Sequence, residues 1–208
     1  MLQKLERSSD PKLRPDNVAY LRVIRSISIR SSRESDWRTK EALCLKIQEV
    51  FERWRTRALR DRKLKPPNLD AYKLCLHAWA ASHSTLSSEH AARIVRHAED
   101  EFAKGDESFR PDIELFETAM KCFSKCSDQA SFRAASSLGK KIHKYGVKES
   151  RRFFGLFLKA IAKSDPRRAE LLLLDAEARM ERGAKNVALD EFCYQSVVRG
   201  YSLQKNGA

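Results

Sequence analysis

The sequence predicts an all-α fold, an α-solenoid of stacked antiparallel helix pairs, and three observations predict it. One aromatic-led segment recurs five times in 208 residues. Helix breakers are sparse, with 7 Gly and 6 Pro in the whole chain. No alternation of apolar and polar residues runs long enough to make a strand. The chain is long enough to bury a substantial core, and 42% hydrophobic with 33% charged residues argues against both disorder and a membrane-embedded class.

The five copies align without a gap: PDNVAYLRVIRSIS from Pro15, PNLDAYKLCLHAWA from Pro67, PDIELFETAMKCFS from Pro111, ESRRFFGLFLKAIA from Glu149 and LDEFCYQSVVRGYS from Leu189. Their leading aromatics are Tyr20, Tyr72, Phe116, Phe154 and Tyr194. Four residues on stand Ile24, Leu76, Met120, Leu158 and Val198, and seven on stand Ile27, Trp79, Phe123, Ile161 and Tyr201. These offsets lie on one helical face, the expected core stripe of every copy. Six and eight residues on, each copy has a small side chain, from Ser26 and Ser28 in the first to Gly200 and Ser202 in the last. Small flanks permit close stacking of neighbouring helices.

Pro15, Pro67 and Pro111 precede their aromatics by five residues, where a proline ends one segment and opens the next helix. A second helical pattern follows each of the first four copies, most clearly EALCLKIQEVFERW from Glu41, HAARIVRHAEDEF from His90 and PRRAELLLLDAEARMERG from Pro166. Asp165-Pro166 and Gly183 are good caps for the last of these. The resulting layout is a tail of a preceding repeat and linker over 1–14, repeats over 15–64, 65–109, 110–146 and 147–184, and the first helix of a fifth over 185–208. That is about four complete helix pairs with partial units at both ends. Repeat arrays need polar end caps, and neither end reads as one, so the chain is expected to be a fragment of a longer array.

A formal charge of +13 and a pI near 9.7 favour polyanionic partners. Five residues after each aromatic stand Arg25, His77, Lys121, Lys159 and Arg199, about 140° from the aromatic and so directed away from the core stripe. On stacked helices this column becomes a ladder that a phosphate backbone could follow, thickened by Lys125 and Lys163. Acidic Asp70, Glu114 and Glu117 share the face and weaken its field.

Catalytic readings find no support. The sequence has no glycine-rich phosphate loop, nucleophile elbow or clustered aspartate pair. His83, His90 and His97 recur every seven residues, about 10.5 Å along a helix and too far apart to share a metal. The five cysteines lack zinc-site spacing and read as small core side chains. No metal, cofactor or small-molecule substrate is called for. Trp37, Trp54 and Phe102, in the second helices, are expected in the core. No stretch reaches the 18 apolar residues of a membrane span, and no targeting segment is identified.

The unit P-x-x-x-[AT]-Y-x-x-L-[IL]-x-[AG]-[YW], followed by a helix ending near M-x-x-x-G, resembles the pentatricopeptide repeat, and the copies from Pro15 to Ser202 carry the resemblance. YQSVVRGYS from Tyr194 and RAELLLLDAEARMERG are the closest segments. The PNLDAYKLCLHAWAAS segment resembles algal and other protist members. The resemblance implies an organellar (mitochondrial or plastid) protein whose first helices line a groove for single-stranded RNA, acting in RNA processing, stability or translation. It also implies two base-facing places. The place just after the aromatic holds Leu21, Lys73, Glu117, Gly155 and Gln195, where the family prefers Asn, Ser or Thr. The place just after the proline of the next unit holds Asn68, Asp112 and Ser150. With no readable base code in the first of these, contact through phosphates is expected to dominate. The alternative is a protein-interaction scaffold of the same fold, in an RNA-processing or ribosomal assembly.

Overall fold

A computed structural model describes residues 5–8, 10, 13–82, 84–183 and 189–205. Part of the 1–14 segment, the repeat boundary at 184/185 and His83 lie outside them. The described residues form nine α-helices and one 3₁₀ turn, with no strand among them. They divide into two compact units, one ending at Ser84 and the other beginning at Thr85. The division falls between the two helices of the second repeat.

The first unit holds α1 (Asn17–Arg33), α2 (Trp37–Arg60) and α3 (Leu69–Ala81), each packed against the other two. Tyr20 and Ile24 of α1, Ile47 and Phe51 of α2, and Tyr72, Leu76 and Trp79 of α3 are fully buried or nearly so. Tyr20 stacks on Trp54 at 5.6 Å, and Phe51 meets Tyr72 edge-on at 4.8 Å. The Trp54 indole satisfies its one donor on the Lys65 carbonyl at 2.8 Å, which is why this ring can be buried. The Tyr20 hydroxyl donates to Glu6 at 2.6 Å; burial first, then this carboxylate, raises its pKa. Trp37 departs from its expected burial. It is the first residue of α2, 52% exposed, with the Arg38 guanidinium over its ring, because a first-turn position precedes the helix's contact with its neighbours.

The second unit holds α4 (Ser87–Ala103), the 3₁₀ turn (Glu107–Phe109), α5 (Ile113–Phe123), α6 (Gln129–Lys144), α7 (Arg151–Ala162), α8 (Pro166–Glu181) and α9 (Glu191–Lys205). The first helices α5, α7 and α9 pack in succession; α6 lies against α5 and α7, and α8 against α7 and α9. Gly105, Gly146 and Gly183 end α4, α6 and α8 with φ of 94°, 64° and 84°, the left-handed region that favours glycine. The small-residue expectation has a direct counterpart where α9 crosses α7: a Cβ on Gly200 would stand 2.5 Å from the Ala162 carbonyl oxygen.

The core stripe differs between copies. Phe116, Met120 and Phe123 are buried, as are Leu158 and Ile161. In the fourth copy Phe153 is fully buried and Phe154 only half-buried. In the fifth, Tyr194, Val198 and Tyr201 are 43%, 64% and 37% exposed. There α9 buries Cys193, Val197 and Gly200 instead, and no described helix covers the opposite stripe.

Candidate nucleic-acid interface

Every first helix begins with the same device. Asp16, Asn68, Asp112 and Ser150 are N-caps whose side-chain oxygens accept from the amides of Ala19 (2.7 Å), Ala71 (3.2 Å), Leu115 (3.0 Å) and Phe153 (3.0 Å). Asp190 accepts likewise from the Cys193 amide at 3.1 Å. A helix leaves its first amides without intrahelical partners, and a cap of this kind stabilises by about 1 kcal/mol. Asn68, Asp112 and Ser150, singled out as base-facing, therefore each commit an oxygen to the backbone.

Ser150 does more. Its hydroxyl donates to Glu117 Oε1, and Arg152 Nε lies 3.9 Å from the other carboxylate oxygen. Two predicted base-facing residues from successive first helices are thus brought together, but as a hydroxyl–carboxylate pair flanked by a cation. Gly155 is buried, and the Phe192 ring lies over it, 2.6 Å from where a Cβ would be. Leu21 and Lys73 are half-buried on α1 and α3; Gln195 is exposed and donates to Glu191.

Of the basic column, Arg25 and His77 are exposed on α1 and α3, and Lys121 is half-buried on α5 with Lys125 just beyond its end. Lys159 and Lys163, at the end of α7, converge with Arg199 of α9 on one cleft of about 380 Å³. Phe192, Gln195, Gly200 and Leu203 line it too, and no carboxylate is among its lining residues. Lys163 has a structural task as well. Its ammonium donates to the carbonyls of Lys125 (2.8 Å) and Cys126 (3.3 Å), which follow the C-terminus of α5. Partial burial, then the nearby Lys159 charge, lowers its pKa.

Phe192 is a cleft residue that the sequence places in neither the basic ladder nor the base-facing places. It is 40% exposed and presents an apolar ring beside three cations, on the side of α9 away from the repeat stripe. The signal for it was available: an apolar residue on the outward face, opposite a glycine in the preceding copy.

Nothing in the site suggests reactive thiols. Burial raises the pKa of the Cys75 thiol and pushes that of Cys193 up to about 11. Among the described residues no cluster of His, Cys, Asp or Glu could hold a metal ion, and no helix is long and apolar enough to cross a membrane. Compared with protein-family models and with characterised proteins, the chain matches none.

Proposed function

We propose that this chain is a helical-repeat module, an α-solenoid, that binds single-stranded RNA mainly through its phosphates. The observation that carries the reading is the α7–α9 cleft, where Lys159, Lys163 and Arg199 meet without a carboxylate and beside the exposed Phe192 ring. Single-strand binders combine these two features, a cationic groove for the backbone and an aromatic platform for a base. The resemblance to pentatricopeptide repeats supports the same partner, and with it an organellar role in transcript processing, stability or translation. Because the caps and the Ser150–Glu117 pair already engage the places that would read bases, the binding is backbone-led.

A salt titration of binding to a fluorescein-labelled single-stranded RNA tests this. The slope of log affinity against log salt reports about 0.7 per phosphate contacted. Replacing Lys121, Lys159 and Arg199 together by Glu is expected to lower that slope by about 2. Phe192→Ala is expected to weaken binding at all salts with the slope unchanged, because stacking is not a counterion effect. A triple variant with the wild-type slope overturns the reading.

A further inference from the structure

At both steps between first helices of the second unit, the same two places meet: the residue just after the aromatic of one copy, and the residue two before the aromatic of the next. Between α5 and α7 these are Glu117 and Arg152, a carboxylate with a guanidinium nitrogen 3.9 Å away. Glu117 also accepts the Ser150 hydroxyl, so this step is closed by groups that satisfy one another. Between α7 and α9 the two places hold Gly155 and Phe192. Neither side chain carries a charge or a hydrogen-bonding group, and the step presents a ring instead.

Glycine is a poor helix former, yet Gly155 lies inside α7. A Cβ there would stand 2.6 Å from Phe192 Cδ1 and 3.0 Å from Cε1, both too close for a carbon, whereas Cys193 Sγ at 3.6 Å is in ordinary contact. The space left by the missing side chain is therefore taken up by one edge of one ring. Gly155 is buried and Phe192 is 40% exposed, so the ring is seated on α7 at that edge and open to solvent over much of its surface. Its backbone is held separately, by the Ser196 hydroxyl donating to the Phe192 carbonyl at 2.7 Å.

The seat lies beside the cations. Arg199 follows Phe192 by seven residues, two turns or about 10.5 Å along one face of α9. Lys159 lines the same cleft from α7. A base on the ring thus has cations within reach of its strand's phosphates, provided that the ring keeps its place at the cleft.

We propose that Gly155 is the positioning residue of this site: its missing side chain seats Phe192 as the platform for one base, and any larger residue there turns the ring away. The proposal rests on the reading of the cleft as a single-stranded RNA site. It assigns the stacking contact to the α7–α9 step, since the matching places between α5 and α7 are occupied by the Glu117–Arg152 pair.

The test is a double-variant cycle of Gly155→Ala and Phe192→Ala in the full chain, read by melting and by binding to a fluorescein-labelled single-stranded RNA. Alanine for an interior helical glycine ordinarily stabilises. Gly155→Ala should therefore raise the melting temperature in the Phe192→Ala background, where the ring is gone, and by about 2 °C or more less in the parent. In RNA binding, Gly155→Ala should weaken affinity at least about threefold with the salt slope unchanged, and should have no further effect in the Phe192→Ala background. Equal melting shifts in the two backgrounds would mean that no seat exists and overturn the proposal. So would parental RNA affinity in Gly155→Ala while Phe192→Ala binds weakly, or a loss of affinity that persists without the ring; either leaves the RNA reading standing. Parental affinity in Phe192→Ala removes the platform and the proposal with it. A salt slope that the triple charge variant leaves unchanged instead overturns the RNA reading itself, and the seat's role with it.

Discussion

In the unit that ends at Ser84, α1 and α3 turn Tyr20, Ile24, Tyr72 and Leu76 fully into the core; in the unit from Thr85, α9 carries the same repeat places but leaves Tyr194 and Val198 in solvent. The side chains are of similar apolar character, so the difference lies in what surrounds them. α1 and α3 have α2 between their stripes and water, whereas α8 lies to one side of α9 and engages its tyrosines through their hydroxyls. An apolar stripe makes burial favourable, but a neighbour has to supply it.

The charges differ between the units in the same way. The first unit has the larger cleft, about 750 Å³, but Glu6, Asp16 and Asp61 line it together with Arg14, Arg57, Arg60 and Arg62. The second unit's smaller cleft has Lys159, Lys163 and Arg199 and no carboxylate. A surplus of positive charge is a property of the whole sequence; an anion site requires that the cations converge where the acids do not.

Three measurements would break or sharpen this comparison. The largest effect is expected from the pair Leu76→Ala and Val198→Ala at the same repeat place. Leu76 is fully buried, so its truncation should cost about 2–5 kcal/mol in denaturant unfolding. Val198→Ala should stay within about 0.5 kcal/mol. Equal costs would mean that α9 is covered in solution.

Next come the caps, one in each unit. Asn68→Ala and Asp112→Ala should each destabilise by about 1 kcal/mol while leaving the salt slope of RNA binding unchanged. A loss of RNA affinity larger than the loss of stability would return these residues to the base-facing role that the resemblance implies.

The smallest effect separates the units by pH. Asp36 caps α2 in the first unit and Asp128 caps α6 in the second. Hydrogen bonds from the Thr39 and Ser131 side chains, then from their amides, hold both carboxyls below their ordinary pKa. A folded-state pKa below the unfolded one means that the stabilisation is complete above the ordinary carboxylate range and is lost as pH falls through the lowered value. Asp128→Asn should therefore flatten the acid limb of stability for the second unit alone, and Asp36→Asn for the first, as followed by amide exchange in α6 and α2.

Much of this was legible beforehand. The first helices fall where the five aromatics, three of them with a preceding proline, place them, and Asp165-Pro166 opens α8 as its capping pattern predicts. The helix Gln129–Lys144 was less plain, because its buried residues are chiefly Ser131, Ala135, Leu138 and Ile142, a narrow stripe of small side chains. Among the candidate site residues, the outward column was legible as charge. That Lys163 would be drawn onto the Lys125 and Cys126 carbonyls, or that Phe192 would cover Gly155, depends on contacts 37 or more residues apart along the chain. Periodicity along one helix carries no information about such neighbours.

What the sequence by itself determined is the placing of the first helices, the capping of α8 and the buried stripe of the second and third copies, because these follow from spacing within one turn or two. The tertiary structure decided which stripes are covered, which cations converge and which polar residues are already engaged. Burial and electrostatic fields are sums over residues that the chain brings together only by folding, so identical repeat places end as core in α3 and α5 and as open surface in α9.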